Sequence, residues 1–390
     1  MQIENNKMSI KKLSFLLLFL SFIYMDVAAQ ITDKAATAET KNLYKNLKKL
    51  VGKGIMFGHQ DDLAYGVHWK TSDGKRSDIK DVLGDYPAVY GWDLGKIEYK
   101  SEKNLDGVPF IKIKQYIKDV YDRGGINTIS WHVDNPVTLK SAWDNTNAIS
   151  SVLPNGRNHK KFTNWLDNAA EFLKSLKGSD GKLVPIIFRP YHELNGGWFW
   201  WGAKSCTVKE YIALWKYTLH YLRDKKKVHN LIYCFNTNDV KNVAEFVERY
   251  PGNDYVDMVS FDMYQQSKNN SSAQDLVNAG KAFKTNLKST LTVMDSVAKQ
   301  NNKIPALAET GLEAIPDLNW WTSILGEVIK DFKISYVLVW RNHGWQEKEG
   351  KMHYYAPFTG QTSAPDFIKF YKLPTTIFGK ELAEQNIYKK

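Results

Sequence analysis

"VPIIFRPYHELNGGWFWWG", residues 184–202, opens as a continuous apolar run and closes among glycines and rings. At the junction stand Arg189, His192, Glu193 and Asn195. A packed core has no use for so many polar groups, and a solvated loop has none for three tryptophans and Phe199. An unbroken apolar run of this length, rather than an alternating one, reads as a strand buried on both faces, the habit of parallel sheets covered by helices. Glu193, at its end, is aimed at something.

The theme recurs along the chain. "GIMFGHQ" (54–60), "YPAVYGWD" (86–93) and "GINTISWH" (125–132) precede the run at 184–193; "NLIYCFNT" (230–237), "DMVSFDMY" (257–264), "IPALAETG" (304–311) and "ISYVLVWRN" (334–342) follow it. Helical stretches lie between. "FIKIKQYIKDVYDRG" (110–124) sets Ile111, Tyr116, Ile117 and Val120 on one stripe, and 162–178 and 207–224 show the same period, the latter opening at Thr207 as a cap. Eight strand–helix units predict an α/β fold, a (β/α)8 TIM barrel in a single domain covering 30–390. No G-x-G-x-x-G follows the first strand, which counts against an open dinucleotide-binding sheet.

A barrel of this kind builds its site at the C-terminal strand ends. Here those ends read His59-Gln60, Trp92-Asp93, Trp131-His132, His192-Glu193, Asn236, Asp262 with Tyr264, Glu309 and Trp340-Arg341. The long connections at 63–78, 133–161 and 343–360 fall on the same pole and carry Trp, Tyr or His, as loops that shape a cleft do.

Composition narrows the partners. At 43% hydrophobic and 24% charged the chain is an ordinary globular one, so disorder is not expected. Aromatics at 13% suit stacking on sugars or filling a core. The net charge of +11 comes from scattered lysines whose longest run is 225–227, and no nucleic-acid signature accompanies it. Residues 8–30, "MSIKKLSFLLLFLSFIYMDVAAQ", have lysines, an apolar stretch from Leu13 to Tyr24 and a small-residue site at Val27-Ala28-Ala29. That pattern predicts a secretory leader over 1–29, cleavage after Ala29 and export to the periplasm or medium, with no membrane span left after cleavage. Cys206 and Cys234 could pair, but Cys234 within "NLIYCFN" reads as a buried small hydrophobe. No His/Asp/Glu cluster has metal spacing, so neither metal nor cofactor is expected.

Glu193 at the end of strand 4 and Glu309 at the end of strand 7 would face each other across one pocket. Two opposed carboxyls are what glycoside hydrolysis uses, one protonating the leaving oxygen while the other attacks or activates water. The plainer alternatives are a salt bridge from Glu193 to Arg189 and a buried structural acid at Glu309.

"FRPYHELNGGWFWWG" closely resembles the acid/base motif of glycoside hydrolase family 26, whose members are mostly β-mannanases. "FGHQ", "SWHVDNP", "SFDMY", "PALAETG" and "VLVWRN" resemble its other blocks in order, over about residues 45 to 372. The resemblance implies a retaining double displacement on β-1,4-mannan, galactomannan or manno-oligosaccharides, with Glu193 as acid/base and Glu309 as nucleophile. It implies that Tyr264 hydrogen-bonds Glu309, and that His132, His192, Asp262, Trp198 and Trp340 line the subsite at the cleavage point. Asp93 and Arg341 would add hydrogen bonds, Arg341 one sugar further toward the non-reducing side. Trp143, in the strand-3 loop, would stack on a distal sugar. Trp200, Trp201, His68, His159 and His343 read equally as packing or surface residues and stay outside the site. The chain is expected to act as a monomer. A xylan or mixed-linkage β-glucan hydrolase of the same fold is the nearest alternative, and a non-catalytic glycan-binding barrel the next. The loops are long enough for endo action or for release of mannobiose.

Overall fold

The computed structural model describes residues 31–70, 73–266, 272–347 and 349–390. The leader expected at 1–29 lies outside them. Eight strands alternate with helices: β1 (Ile55–Gln60), β2 (Val89–Asp93), β3 (Ile126–Trp131), β4 (Ile186–Pro190), β5 (Leu231–Asn238), β6 (Met258–Gln265), β7 (Ile304–Leu312) and β8 (Tyr336–Val339). Each pairs in parallel with the next, and β8 returns to β1 from Met56↔Tyr336 to His59↔Val339, closing the barrel. A short strand at Thr376–Ile377 pairs in parallel with the start of β1. The predicted (β/α)8 barrel is the observed one.

The strands are largely apolar because both faces are covered. Every residue of β1 to β4 is buried, and Phe57 packs outward against Phe378 in a stack at 5.0 Å. The helix Phe110–Asp122 buries Phe110, Ile113, Tyr116, Ile117 and Val120. Ile111, which sequence spacing placed on that stripe, is 73% exposed. Ile113 takes the inward place, since 110, 113, 117 and 120 follow the i, i+3, i+4 rows of one helix face. Thr207 caps Val208–His220 as expected, in a reciprocal box with Glu210. Among the described residues no helix is long and apolar enough to cross a membrane.

At the C-terminal pole the first and last long connections fold into short antiparallel hairpins. One pairs Tyr65–Gly66 with Trp69–Lys70, the other Gly344–Gln346 with Lys351–His353. Cys206 and Cys234 are both free and buried; the Cys234 thiol sits 3.1 Å from Ser260 Oγ.

Candidate active site

The turn after β4 carries the acid. Tyr191 and Glu193 both adopt left-handed backbone, φ 52° and 53°, a conformation bulky residues enter only when their surroundings impose it. The surroundings here are the rings that follow. Trp200 Nε1 donates to Val133 O and Trp201 Nε1 to His192 O, so both indoles are fully buried braces rather than ligands. Gly202 allows the loop to double back, since a Cβ there would meet Gly196 O at 2.5 Å. Trp198 remains 38% exposed, and its Nε1 donates to Glu193 Oε2 at 2.7 Å.

Glu193, Glu309, His132, His192, Trp198, Tyr264, Trp340 and Trp143 line one cavity of about 300 Å³. One carboxylate oxygen from each of Glu193, Asp262 and Glu309 lies within 4.8 Å of the other two. Arg189 resolves the crowding of negative charge. Its Nη1 donates to Asp262 Oδ2 at 2.9 Å and its Nη2 to Glu309, while Tyr264 OH donates to the other Glu309 oxygen at 2.8 Å. The guanidinium thus sits where those carboxylates would otherwise draw a cation. The alternative pairing of Arg189 with Glu193 is not the one formed.

The two glutamates stand in different environments. Loss of water in the cleft, then the negative charge on Glu309, push the Glu193 carboxyl up to about 7, against the opposing pull of Trp198, Arg189 and His132. Glu309 instead receives two donors, Arg189 Nη2 and Tyr264 OH. The raised Glu193 carboxyl is the one suited to give a proton.

His132 is held by Asp93, whose Oδ2 accepts from Nδ1 at 2.7 Å, and its Nε2 meets His192 Nε2 at 3.1 Å. Burial opposes a cation on His132, but the Asp93 charge and hydrogen bond, together with the charges of Glu309 and Asp106, outweigh it and raise that pKa. Burial, then the neighbouring His132 and Arg189 charges, hold His192 far below its ordinary value, so it stays neutral. Trp143 lies flat on His132 at 5.0 Å and 12° and stands half-exposed on the cavity wall.

Three expected ligands do not line this cavity. Asp93 is buried, with its oxygens taken by Ser130, His132 and Gly95 N; it orients His132 rather than a sugar. Asp262 has no exposed surface and works from beneath, on Arg189. Arg341 turns its guanidinium to Asp106 and keeps 18% of its side chain exposed. Conversely, Glu313, His353 and Tyr355 join the cavity wall without having been singled out. The signal for His353 and Tyr355 was the Trp, Tyr and His content of the strand-8 loop; Glu313, just past the end of β7, had none.

A closed parallel barrel with two glutamates meeting at the ends of β4 and β7 is the site of a barrel glycoside hydrolase. The sequence pattern of glycosyl hydrolase family 26 matches residues 32–340, and the chain belongs to that family. It is 37% identical over 291 residues to a mannan endo-1,4-β-mannosidase of Bifidobacterium adolescentis, covering 73% of this chain and 28% of that protein. Among solved structures, a family-26 β-mannanase of Bacteroides ovatus matches with TM-score 0.81 and 43% identity, over 89% of this chain and 97% of that one. The catalytic domain of a Bacillus sp. JAMB-750 endo-β-1,4-mannanase matches with TM-score 0.82 and 32% identity, over 92% and 96%. The chain spans little more than a quarter of the Bifidobacterium protein's length and 52% of that of a second relative, from Caldalkalibacillus mannanilyticus.

Trp198→Phe removes the indole N–H bonded to the Glu193 carboxylate and keeps an aromatic face. Losing a donor to the carboxylate raises the Glu193 pKa further. The basic limb of kcat/KM, where Glu193 gives up its proton near pH 7 in the native chain, moves to higher pH in the variant. A pH–rate profile of both proteins checks it, and a limb that stays in place contradicts it.

Proposed function

We propose that the chain hydrolyses β-1,4-mannosidic bonds of mannan, galactomannan or manno-oligosaccharides by a retaining double displacement. What supports the mechanism most is the approach of the Glu193 and Glu309 oxygens to within 4.8 Å in unlike environments. Carboxyls about 5–5.5 Å apart suit direct attack on the anomeric carbon, whereas inversion needs about 6.5–9.5 Å to admit a water. The mannan assignment is supported by the relatives above, a mannan endo-1,4-β-mannosidase and two β-mannanases.

In the first step Glu309 attacks the anomeric carbon and Glu193 gives its proton to the departing oxygen. The Glu309–sugar ester carries no charge, so one of the forces that kept Glu193 protonated disappears. Its carboxyl then turns from acid to base and takes a proton from the water that cleaves the ester. Neutral His192 and the Asp93-held His132 keep the sugar's edge in place. A second hollow of about 490 Å³ is lined by Glu193 and Trp198 but not by Glu309, and continues past Asn238, Asp239 and the helix Ala273–Asn301. Lying on the acid's side alone, it is where the leaving portion of the chain would rest.

The test is a time course of products from linear mannohexaose. A spread of manno-oligosaccharides from the first minutes indicates endo cutting, and mannobiose with mannotetraose alone indicates release from one end. Silence on mannan with cleavage of xylan or mixed-linkage β-glucan would sink the polymer assignment and leave the mechanism. Export belongs to the same proposal and rests on residues 1–29; N-terminal sequencing of the mature protein should begin at Gln30.

A further inference from the structure

Glu313 follows the nucleophile by four residues, just past the end of β7. Both of its carboxylate oxygens are engaged by the strand Lys351–His353. Oε1 accepts from His353 Nδ1 at 2.7 Å, and Oε2 from Lys351 Nζ at 2.9 Å. Burial pushes this carboxyl's pKa up, but those two bonds outweigh it and keep Glu313 ionised. Lys351 and His353 are two residues apart, so they share one face of the strand and reach the same acceptor. Beside the pair, Ala314 N donates to Tyr354 O at 2.9 Å. Ala314 and Ile315 are held left-handed, φ 58° and 43°, which for a β-branched residue requires its neighbours to impose it.

What the clamp places is Tyr355. Its ring meets Tyr264 edge-on at 5.6 Å and His353 at 5.2 Å, and it lies directly over Gly311, where a Cβ would come within 2.4 Å of it. Gly311, at φ 151°, is two residues past the nucleophile on the same strand. Tyr264 in turn donates to Glu309. A continuous series of contacts therefore runs from Glu313 through the hairpin and Tyr355 to the hydroxyl that steadies the nucleophile.

We infer that Glu313 is a positioning residue for the reaction: by clamping the 344–353 hairpin to the end of β7 it presses Tyr355 on Tyr264 and so fixes the Tyr264–Glu309 hydrogen bond. The inference rests on the hydrolase reading above. A hydroxyl misplaced by about 1 Å at a reacting carboxylate costs up to about a hundredfold in rate. Glu313 stands on the cavity wall, but both of its oxygens are taken by the hairpin and none is left for a sugar, so its effect belongs in kcat rather than KM.

Glu313→Gln keeps the shape and loses the charge; its amide can accept from one partner only and turns an N–H toward the other. The expected result is a fall in kcat of about tenfold with KM changed less than about threefold. Tyr264→Phe lowers kcat on its own, and the double variant is no slower than Tyr264→Phe, because both remove one interaction. Glu313→Asp, which keeps the charge, recovers part of the loss. Hydrogen–deuterium exchange gives a readout independent of substrate: amides 351–356 exchange faster in Glu313→Gln than in the native chain. Unchanged kcat, a rise in KM alone, multiplying losses in the double variant, or unchanged exchange would each overturn the inference. A native chain that cuts no mannan would overturn the substrate reading, while the exchange comparison still decides the clamp.

Discussion

Glu309→Ala lowers kcat on mannohexaose by about 10⁵-fold, the scale seen when a covalent nucleophile is removed. Asp262, with an oxygen within 4.8 Å of Glu309, does not take its place, because it is buried beneath Arg189 with no surface in the cleft. The loss should be chemical rather than structural. In the native chain Arg189 serves two acids; without Glu309 it retains its 2.9 Å bond to Asp262, so a buried cation keeps its partner. Thermal melting of the variant is therefore expected to stay at or above the native midpoint. Azide, small enough to enter the space vacated, should restore turnover of an activated aryl mannobioside and give the α-mannosyl azide, a single displacement from the side where Glu309 stood. A variant that keeps more than about a hundredth of native kcat would remove Glu309 from the mechanism.

Glu193→Ala gives the second largest effect, and it depends on the leaving group. With mannohexaose, whose departing oxygen needs a proton, kcat falls about 10³-fold. With a dinitrophenyl leaving group, which needs none, the first step survives and the second slows for want of a base. The glycosyl-enzyme should then accumulate, visible as one added sugar unit on Glu309 by intact mass. Azide releases it as the β-azide, opposite in configuration to the product of the Glu309 variant. The basic limb near pH 7 assigned to Glu193 disappears from the profile. Equal losses on both substrates would mean that Glu193 does not act as the proton donor.

Much of the architecture was legible because parallel strands covered on both faces leave unbroken apolar runs. Each of the eight runs holds the body of its strand, and the differences are at the margins: the strands Leu231–Asn238, Met258–Gln265 and Ile304–Leu312 each end one residue past their runs, and 86–93 carries a strand only from Val89, because Pro87 has no N–H to give a ladder. Polar groups at the strand ends were equally legible as a set. Their orientation was not. Sequence places Asp93 at the end of β2 but cannot say that its carboxylate turns sideways to His132, which depends on a residue of the next strand. Arg189 pairs with Glu309, 120 positions away, rather than with its near neighbour Glu193. The hairpin at 344–353 and its hold on Glu313 depend likewise on contacts across the barrel mouth, and local propensity says only that a polar, glycine-containing loop is there.

The central claim is that Glu309 attacks the sugar directly while Glu193 supplies and then removes the proton. The anomeric configuration of the first product tests it most directly. Proton NMR of mannohexaose hydrolysis, followed from the first turnovers before mutarotation, should show the β-anomer of the new reducing end appear first and the α-anomer only later. The α-anomer appearing first would mean inversion, with a water between the carboxylates where the structure brings their oxygens within 4.8 Å, and would contradict the account.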